Sequence, residues 1–260
     1  QAMGGVMALT GAPEGQPGAG PQRAGYPISD LTSGFYATIG ILAALHHRDT
    51  VSGLGQYIDL SLLDAQVAAT STMSMSYLIA GQLPVRVGLG SQLTAPYGDF
   101  DCADGKIMIA VGNDKQFVQL CHALGHPEMA LEERFTTTSL RVQHKQELIP
   151  IINSILSQHS LNHWMPLLQK AVVPSAPIYD FKQVFEDPQI KHRELVKSVD
   201  HPLAGAMSVV GNPLNFSETP IEYKRAPPLL GQHTDEILRE VLGMDAPEIA
   251  LLAEQKVTAS

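Results

Sequence analysis

Residues 11–27 carry Gly11, Pro13, Gly15, Pro17, Gly18, Gly20, Pro21, Gly25 and Pro27, a density of chain breakers that neither a helix nor a central strand tolerates. Similar punctuation returns at Ser52–Gly55, at Gly81–Ala95 and in the stretch holding Pro220, Pro227 and Pro228. A chain cut in this way folds as short elements joined by loops. With 260 residues, 44% of them hydrophobic and 17% charged, it has enough apolar surface for a sizeable core and is not a disordered tail.

Between the breakers, local patterns predict the elements. Ser29 or Asp30 offers an N-cap for a helix to about His47, with Leu31, Phe35, Ile39, Leu42 and Leu45 on overlapping faces, which implies burial. Gln56–Leu62 alternates like a strand, and Asp64 is placed to cap a second helix to about Ala80. Tyr97–Cys102 and Lys106–Val111 flank Ala103-Asp104-Gly105, a β-hairpin signature. Asn113 or Asp114 opens a helix that Gly125 closes, and Ser139–Gln158 and Leu161–Ala171 follow as helices. Val172–Tyr179 reads as an extended edge segment, and Pro188 sits in the first turn of a short helix. Leu195–Asp200 and Ala206–Val210 read as strands, and Thr234–Leu242 and Ala246–Glu254 as closing helices. The expected fold class is α+β, with an antiparallel hairpin-containing sheet and helices. Its expected parts are a leading segment and linker helix at 1–55, a small α+β domain at 56–175, and a C-terminal linker with terminal helices at 176–260.

The formal charge of −9 argues against a nucleic-acid partner, although a local arginine can still bind a small anion. Cys102 and Cys121 sit in no metal spacing and form no disulfide framework, so a reducing, cytoplasmic setting is expected. The longest apolar stretch, Phe35–Leu45, is broken by Thr38 and Gly40 and falls short of a membrane span, so no membrane partner is expected. Gln1 opens a run that is apolar and rich in small residues, where a domain usually frays into polar ones. Upstream chain is therefore expected, with Gly4, Gly5 and Ala8 pressed against a neighbouring backbone.

Residue types alone assemble no complete catalytic set. There is no Gly-x-Ser-x-Gly elbow and no phosphate-binding Gly-x-x-x-x-Gly-Lys-Ser/Thr loop. His122 with His126, and His159 with His163, have helical metal-ligand spacing but no third ligand nearby, so no metal site is expected. Asp30, Asp59 and Asp64 are carboxylates in apolar surroundings, which capping explains at Asp30 and Asp64. Trp164, Met73 and Met75 fall at core spacings, and Gly88-Leu89-Gly90-Ser91-Gln92 suits a turn or a mobile lid.

The order of motifs resembles the family III CoA-transferases (the CaiB/BaiF family) over essentially the whole chain. The residues that carry it begin with Gln1-Ala2, Gly5, Thr10-Gly11 and Gly25-x-Pro27-Ile28-x-Asp30, then Gly53-x-Gly55-Gln56 leading into Asp59-x-Ser61-Leu62. Ala95-Pro96-Tyr97, Asp104-Gly105, Val111-Gly112-Asn113, Gln116-Phe117, Trp164, Pro174 and Ala176-Pro177-Ile178 follow in order. Asp187-Pro188-Gln189, His201-Pro202, Gly211-x-Pro213 and Pro228-Leu229-Leu230-Gly231-Gln232-His233-Thr234 complete the series. Within the family the chain looks most similar to the succinate–hydroxymethylglutarate type, which handles dicarboxylic acids.

The resemblance implies an interlocked homodimer whose subunits pair a Rossmann-like large domain that binds CoA with a small α+β domain. It implies acyl-CoA and carboxylic acids as substrates, with no tightly bound cofactor. The family's nucleophile is an aspartate a few residues upstream of the Gln-Ala at positions 1 and 2, so no catalytic residue is expected within this chain. That carboxylate attacks the thioester to give an anhydride and then an enzyme–CoA thioester, which the acceptor acid captures. Gly88, Gly90, Ser91 and Gln92 match the family's glycine-rich lid, which keeps water from the anhydride; many members carry His-Pro where Ser91-Gln92 stands here. Arg86 beside the lid is a candidate partner for the acceptor's carboxylate. Two alternatives are an α-methylacyl-CoA racemase and a non-catalytic dimerisation or binding module. Asn113-Asp114-Lys115-Gln116-Phe117 departs from the racemases' Glu-Pro-Gln-Phe, which favours the transferase.

Overall fold

The structure, a computed structural model, describes residues 1–258. It is α+β, with small antiparallel sheets and helices in two compact units, residues 1–178 and, among the described residues, 179–258. The first unit holds α1 (Val6–Leu9), α2 (Ile28–His47), α3 (Leu62–Ala69), α4 (Ser71–Ala80), β1 (Tyr97–Cys102) and β2 (Gly105–Ala110). It continues with α5 (Asp114–Ala123), α6 (Thr138–Gln143), α7 (Lys145–Leu156), α8 (Leu161–Lys170) and β3 (Ser175–Pro177). The second unit holds α9 (Phe181–Glu186), α10 (Pro188–His192), β4 (Val196–His201), β5 (Gly205–Val210), α11 (Thr234–Glu240) and α12 (Ala246–Glu254).

The core lies where local patterning is strongest. β1 and β2 form the predicted hairpin, Cys102 opposite Gly105, and β3 pairs with β2 as the edge strand. Period-two alternation turns Phe100, Ile107 and Ile109 inward, where they join Phe117 and Leu120 from α5, Leu148 and Ile152 from α7, and Leu168 from α8. Each such side chain contributes about 1.5–3 kcal/mol by leaving water. Trp164 is buried as expected, and its Nε1 donates to the Leu156 carbonyl at 2.8 Å. Asp104 in the hairpin turn accepts from the Leu161 N–H at 2.7 Å, which ties the turn to the start of α8.

In the second unit β4 and β5 form a two-stranded antiparallel ribbon. Asp187 caps α10 by accepting from Gln189 and Ile190 N–H, with Pro188 in the first turn as expected. Capping boxes begin α9 at Asp180 and α12 at Asp245.

Several expectations fail. Pro27, not Ser29 or Asp30, precedes α2, and Ser29 is instead buried and donates to Gln66 Oε1 on α3 at 2.6 Å. Ser61 caps α3 by accepting from the Asp64 N–H, and the helix expected to run to Ala80 breaks at Thr70. Gln56–Ser61 forms no strand, because among the described residues the alternation has no partner strand to pair with. The helix expected from Ser139 to Gln158 is likewise interrupted, at His144. Gly4 does make room, but for the Gln66 side chain rather than a backbone, and Gly5 is required by its φ of 85°.

The largest difference concerns α2. Its apolar side chains were expected to be buried, yet Phe35 is 66% and Leu42 61% exposed, since α3 covers only part of its surface within this chain. The helix also runs on through a wide turn at Arg48–Ser52, closed by the Gly53 N–H to the Arg48 carbonyl. Thr38 and Gly40 do not interrupt it. Ile28–Ser52 is thus 25 residues of continuous helix, long and apolar enough to cross a membrane by length and composition alone, contrary to expectation. Met75, expected in the core, is 48% exposed for the same lack of a covering element.

Candidate functional site

A cavity of about 1070 Å³ opens in the first unit between the glycine- and proline-rich loop after α1, the loop from Leu83 to Ser91, the start of β1 and the first turns of α7. Val85, Val87, Leu89, Phe100 and Ile149 supply apolar wall, and Glu14, Arg86, Asp99 and Lys145 bring charge. Arg86, Gly88, Gly90 and Ser91 all line it. Gln92 does not, because its amide turns back to donate to the Val85 carbonyl at 2.6 Å.

The two loops hold each other. The Gly88 N–H donates to the Gly11 carbonyl at 3.1 Å, and Gly88 takes a φ of 63°, which glycine reaches without strain. Arg86 Nη2 donates to Glu14 Oε1 in an ion pair between the loops. The Arg86 side chain is 14% exposed against 78% for Glu14, and Arg86 Nε is buried with no hydrogen-bond partner among the described residues. Ser91 Oγ accepts from the Leu93 and Thr94 N–H groups at 3.0 and 3.2 Å, so it braces the loop. Asp99 is engaged by Lys106 at 2.8 Å, which leaves Arg86 and Lys145 as the cations facing the space.

Behind the loop lies Arg141, a residue that spacing did not single out. It is fully buried, with Nε donating to the Ala95 carbonyl at 2.8 Å and Nη1 to the Phe135 carbonyl at 2.9 Å. Its Nη2 reaches Asp114 Oδ1 at 2.8 Å and Thr138 Oγ1 at 2.9 Å, and the guanidinium lies 4.5 Å from the centre of the Phe117 ring. Ala95 lines the cavity, so this arginine fixes the end of the glycine-rich loop to α5 and α6. A lone arginine between Leu140 and Val142 was the available signal, and solvated arginines look the same in sequence.

The hydrogen bond from Arg141, aided by one from Thr138 and opposed by desolvation, holds the Asp114 carboxyl below its ordinary value. A depressed folded value means the stabilisation is complete above the unfolded value of about 3.9 and is lost as pH falls through the folded value. Below about pH 4 the urea midpoint of the native protein should therefore fall more steeply than that of Asp114→Asn. Parallel acid limbs in urea titrations of the two proteins would contradict this.

Other candidates are placed elsewhere. Asp30, Asp59 and Asp64 are exposed and do not line the cavity. Cys121 is buried, and desolvation pushes its thiol up to about 12; burial also raises Cys102, so neither is a ready thiolate. His159 and His163 stack at 4.2 Å between ring centres, edge-on to Trp164, while His126 pairs with Glu128. Among the described residues no group of three or more His, Cys, Asp or Glu side chains is arranged to hold a metal ion. The cavity can thus bind and shield an anionic, partly apolar ligand.

Known proteins agree on the family. The chain is 37% identical over 241 residues to the succinate–glutarate CoA-transferase of Agrobacterium fabrum, covering 93% of this chain and 59% of that protein. It is 37% identical over 244 residues to the human succinyl-CoA:glutarate CoA-transferase, covering 94% and 55% respectively. The chain therefore spans little more than half the length of these relatives. Among solved structures, a CaiB/BaiF family protein from Brucella suis superposes with a TM-score of 0.76 at 34% identity, covering 93% of this chain and 61% of that one. Residues 1–234 match CoA-transferase family III, and the chain belongs to that family.

Proposed function

We propose that this chain forms the lid-bearing, acid-binding part of a CoA-transferase that moves CoA between carboxylic acids. The observation that carries the reading is the cavity under the Arg86–Ser91 loop, where a shielded guanidinium faces apolar walls. Relatives at 31–37% identity are named for succinate, glutarate, mesaconate and citramalate, which supports dicarboxylic acids as the substrate class. Arg86 binds a carboxylate of the acid, and Gly88, Gly90 and Ser91 shape the lid. Gln92 acts by holding the lid's backbone to Val85.

The attacking carboxylate in this reading is an aspartate outside the 260 residues. It displaces CoA thiolate from the donor thioester to form an anhydride; the thiolate then attacks the aspartyl carbonyl and releases the donor acid, leaving an aspartyl–CoA thioester for the acceptor carboxylate to attack. The 55–59% coverage of relatives and the open apolar surface of α2 support further protein against this unit, from a Rossmann-like half or a second subunit of a homodimer. In this arrangement 56–175 is the small domain and 176–260 the linker and terminal helices. CoA thioesters serve as substrates, with no tightly held cofactor, and the two free buried cysteines fit a reducing cytoplasm.

A racemase would need an acid/base near Asp114, and that carboxylate is committed to Arg141. Protein carrying the whole family length, incubated with succinyl-CoA, should show a covalent CoA adduct by mass spectrometry, whereas the 260-residue chain alone should show neither adduct nor exchange. Exchange turnover by this chain alone, or α-proton exchange on a branched acyl-CoA with no adduct, would refute the reading.

A further inference from the structure

We propose that Glu14 is a displaceable internal carboxylate that reserves Arg86 for the second carboxylate of a diacid, and so sets specificity for the acid. The inference rests on the assignment of the cavity as the acid site. Nε and Nη2 share the edge of the guanidinium that receives a carboxylate through two parallel hydrogen bonds. Glu14 uses only Nη2, and Nε, on the same edge, is buried and unpartnered. The pair therefore satisfies half of a two-pronged donor.

The two partners differ in what displacement costs them. Glu14 is mostly exposed on a glycine- and proline-rich loop and regains water when released, while Arg86 is largely buried and needs a carboxylate in place. A diacid brings one, with two oxygens for Nε and Nη2, and exchanges a one-bond contact for a two-bond one. A monoacid of equal length whose carboxylate lies at the reacting end presents a methyl group here, which cannot replace an ion pair and leaves Arg86 held by Glu14. Discrimination thus comes from a repulsive element, a resident charge that only another charge dislodges. Lys145 also lines the cavity, but it is exposed and lacks the planar two-pronged geometry.

The test measures the acceptor KM of glutarate and of pentanoate, its single-carboxylate counterpart of the same length, in CoA exchange by protein carrying the whole family length, where the one carboxylate of pentanoate must lie at the reacting end. Glu14→Gln should lower the KM of glutarate about two- to fivefold, the range expected for removing one exposed ion pair, with the KM of pentanoate unchanged. Arg86→Lys, which keeps the charge without the fork, should raise the KM of glutarate about tenfold. If Glu14→Gln leaves the glutarate KM unchanged or raises it while Arg86→Lys still raises it, the role of Glu14 is overturned and the acid site stands. An equal fall in the KM of pentanoate also overturns the selective role. An unaltered glutarate KM in Arg86→Lys, or no acceptance of glutarate by the native protein, overturns both.

Discussion

Arg141→Met is expected to lower the unfolding free energy by about 2–4 kcal/mol, the sum of two orphaned buried carbonyls less the relief of no longer burying a cation. The carbonyls are those of Ala95 and Phe135, and methionine fills much of the volume without donating to either. Asp114, the ionic partner, is 55% exposed and is simply rehydrated, so its release adds little. Arg141→Lys should rescue little, because one ammonium cannot reach two carbonyls, a carboxylate and a hydroxyl in the directions the guanidinium serves. Urea denaturation at neutral pH gives the comparison, and a methionine variant within about 0.5 kcal/mol of the native protein would remove this residue from the account.

Gly11→Ala should cost roughly 2–5 kcal/mol, of which about 1–3 is backbone strain and the rest crowding. Gly11 has a φ of 130°, and a Cβ there would lie 2.3 Å from the Gly20 carbonyl oxygen and 3.2 Å from Arg86 Cδ. The nearer obstacle is backbone, which cannot rotate aside. Because the Gly11 carbonyl holds the Gly88 N–H, the change should also loosen the glycine-rich loop, seen as faster hydrogen exchange at Gly88. Gly15→Ala serves as the control: its φ is 81°, but its Cβ would meet nothing within 4 Å, so it should show strain without crowding. Equal costs for the two variants would show that the contact with Gly20 contributes nothing.

What was legible in the sequence depended on how far the cause lay along the chain. The Asp-Gly hairpin, the Asn113 cap, Pro188 in a first turn and the closing helices are decided within a few residues, and the structure has them. The Gln56–Leu62 alternation was real, but a strand exists only with a partner, and no strand among the described residues pairs with it. The apolar faces of α2 were equally real, yet burial is a relation between surfaces, and this chain covers only part of that helix. Four of the five expected site residues came to one cavity because they are neighbours in one loop.

The partners of those residues could not be inferred that way. Glu14 lies 72 positions from Arg86, Asp114 lies 27 from Arg141, and Ala95 lies 46 from it. Sequence by itself determined the fold class, the position of the glycine-rich loop and the family, because caps, turns and ordered motifs act locally and survive without knowledge of contacts. Tertiary structure alone decided which charge faces which: a guanidinium on a surface and one sealed against two carbonyls have the same residue name, and only folding removes the water that distinguishes them.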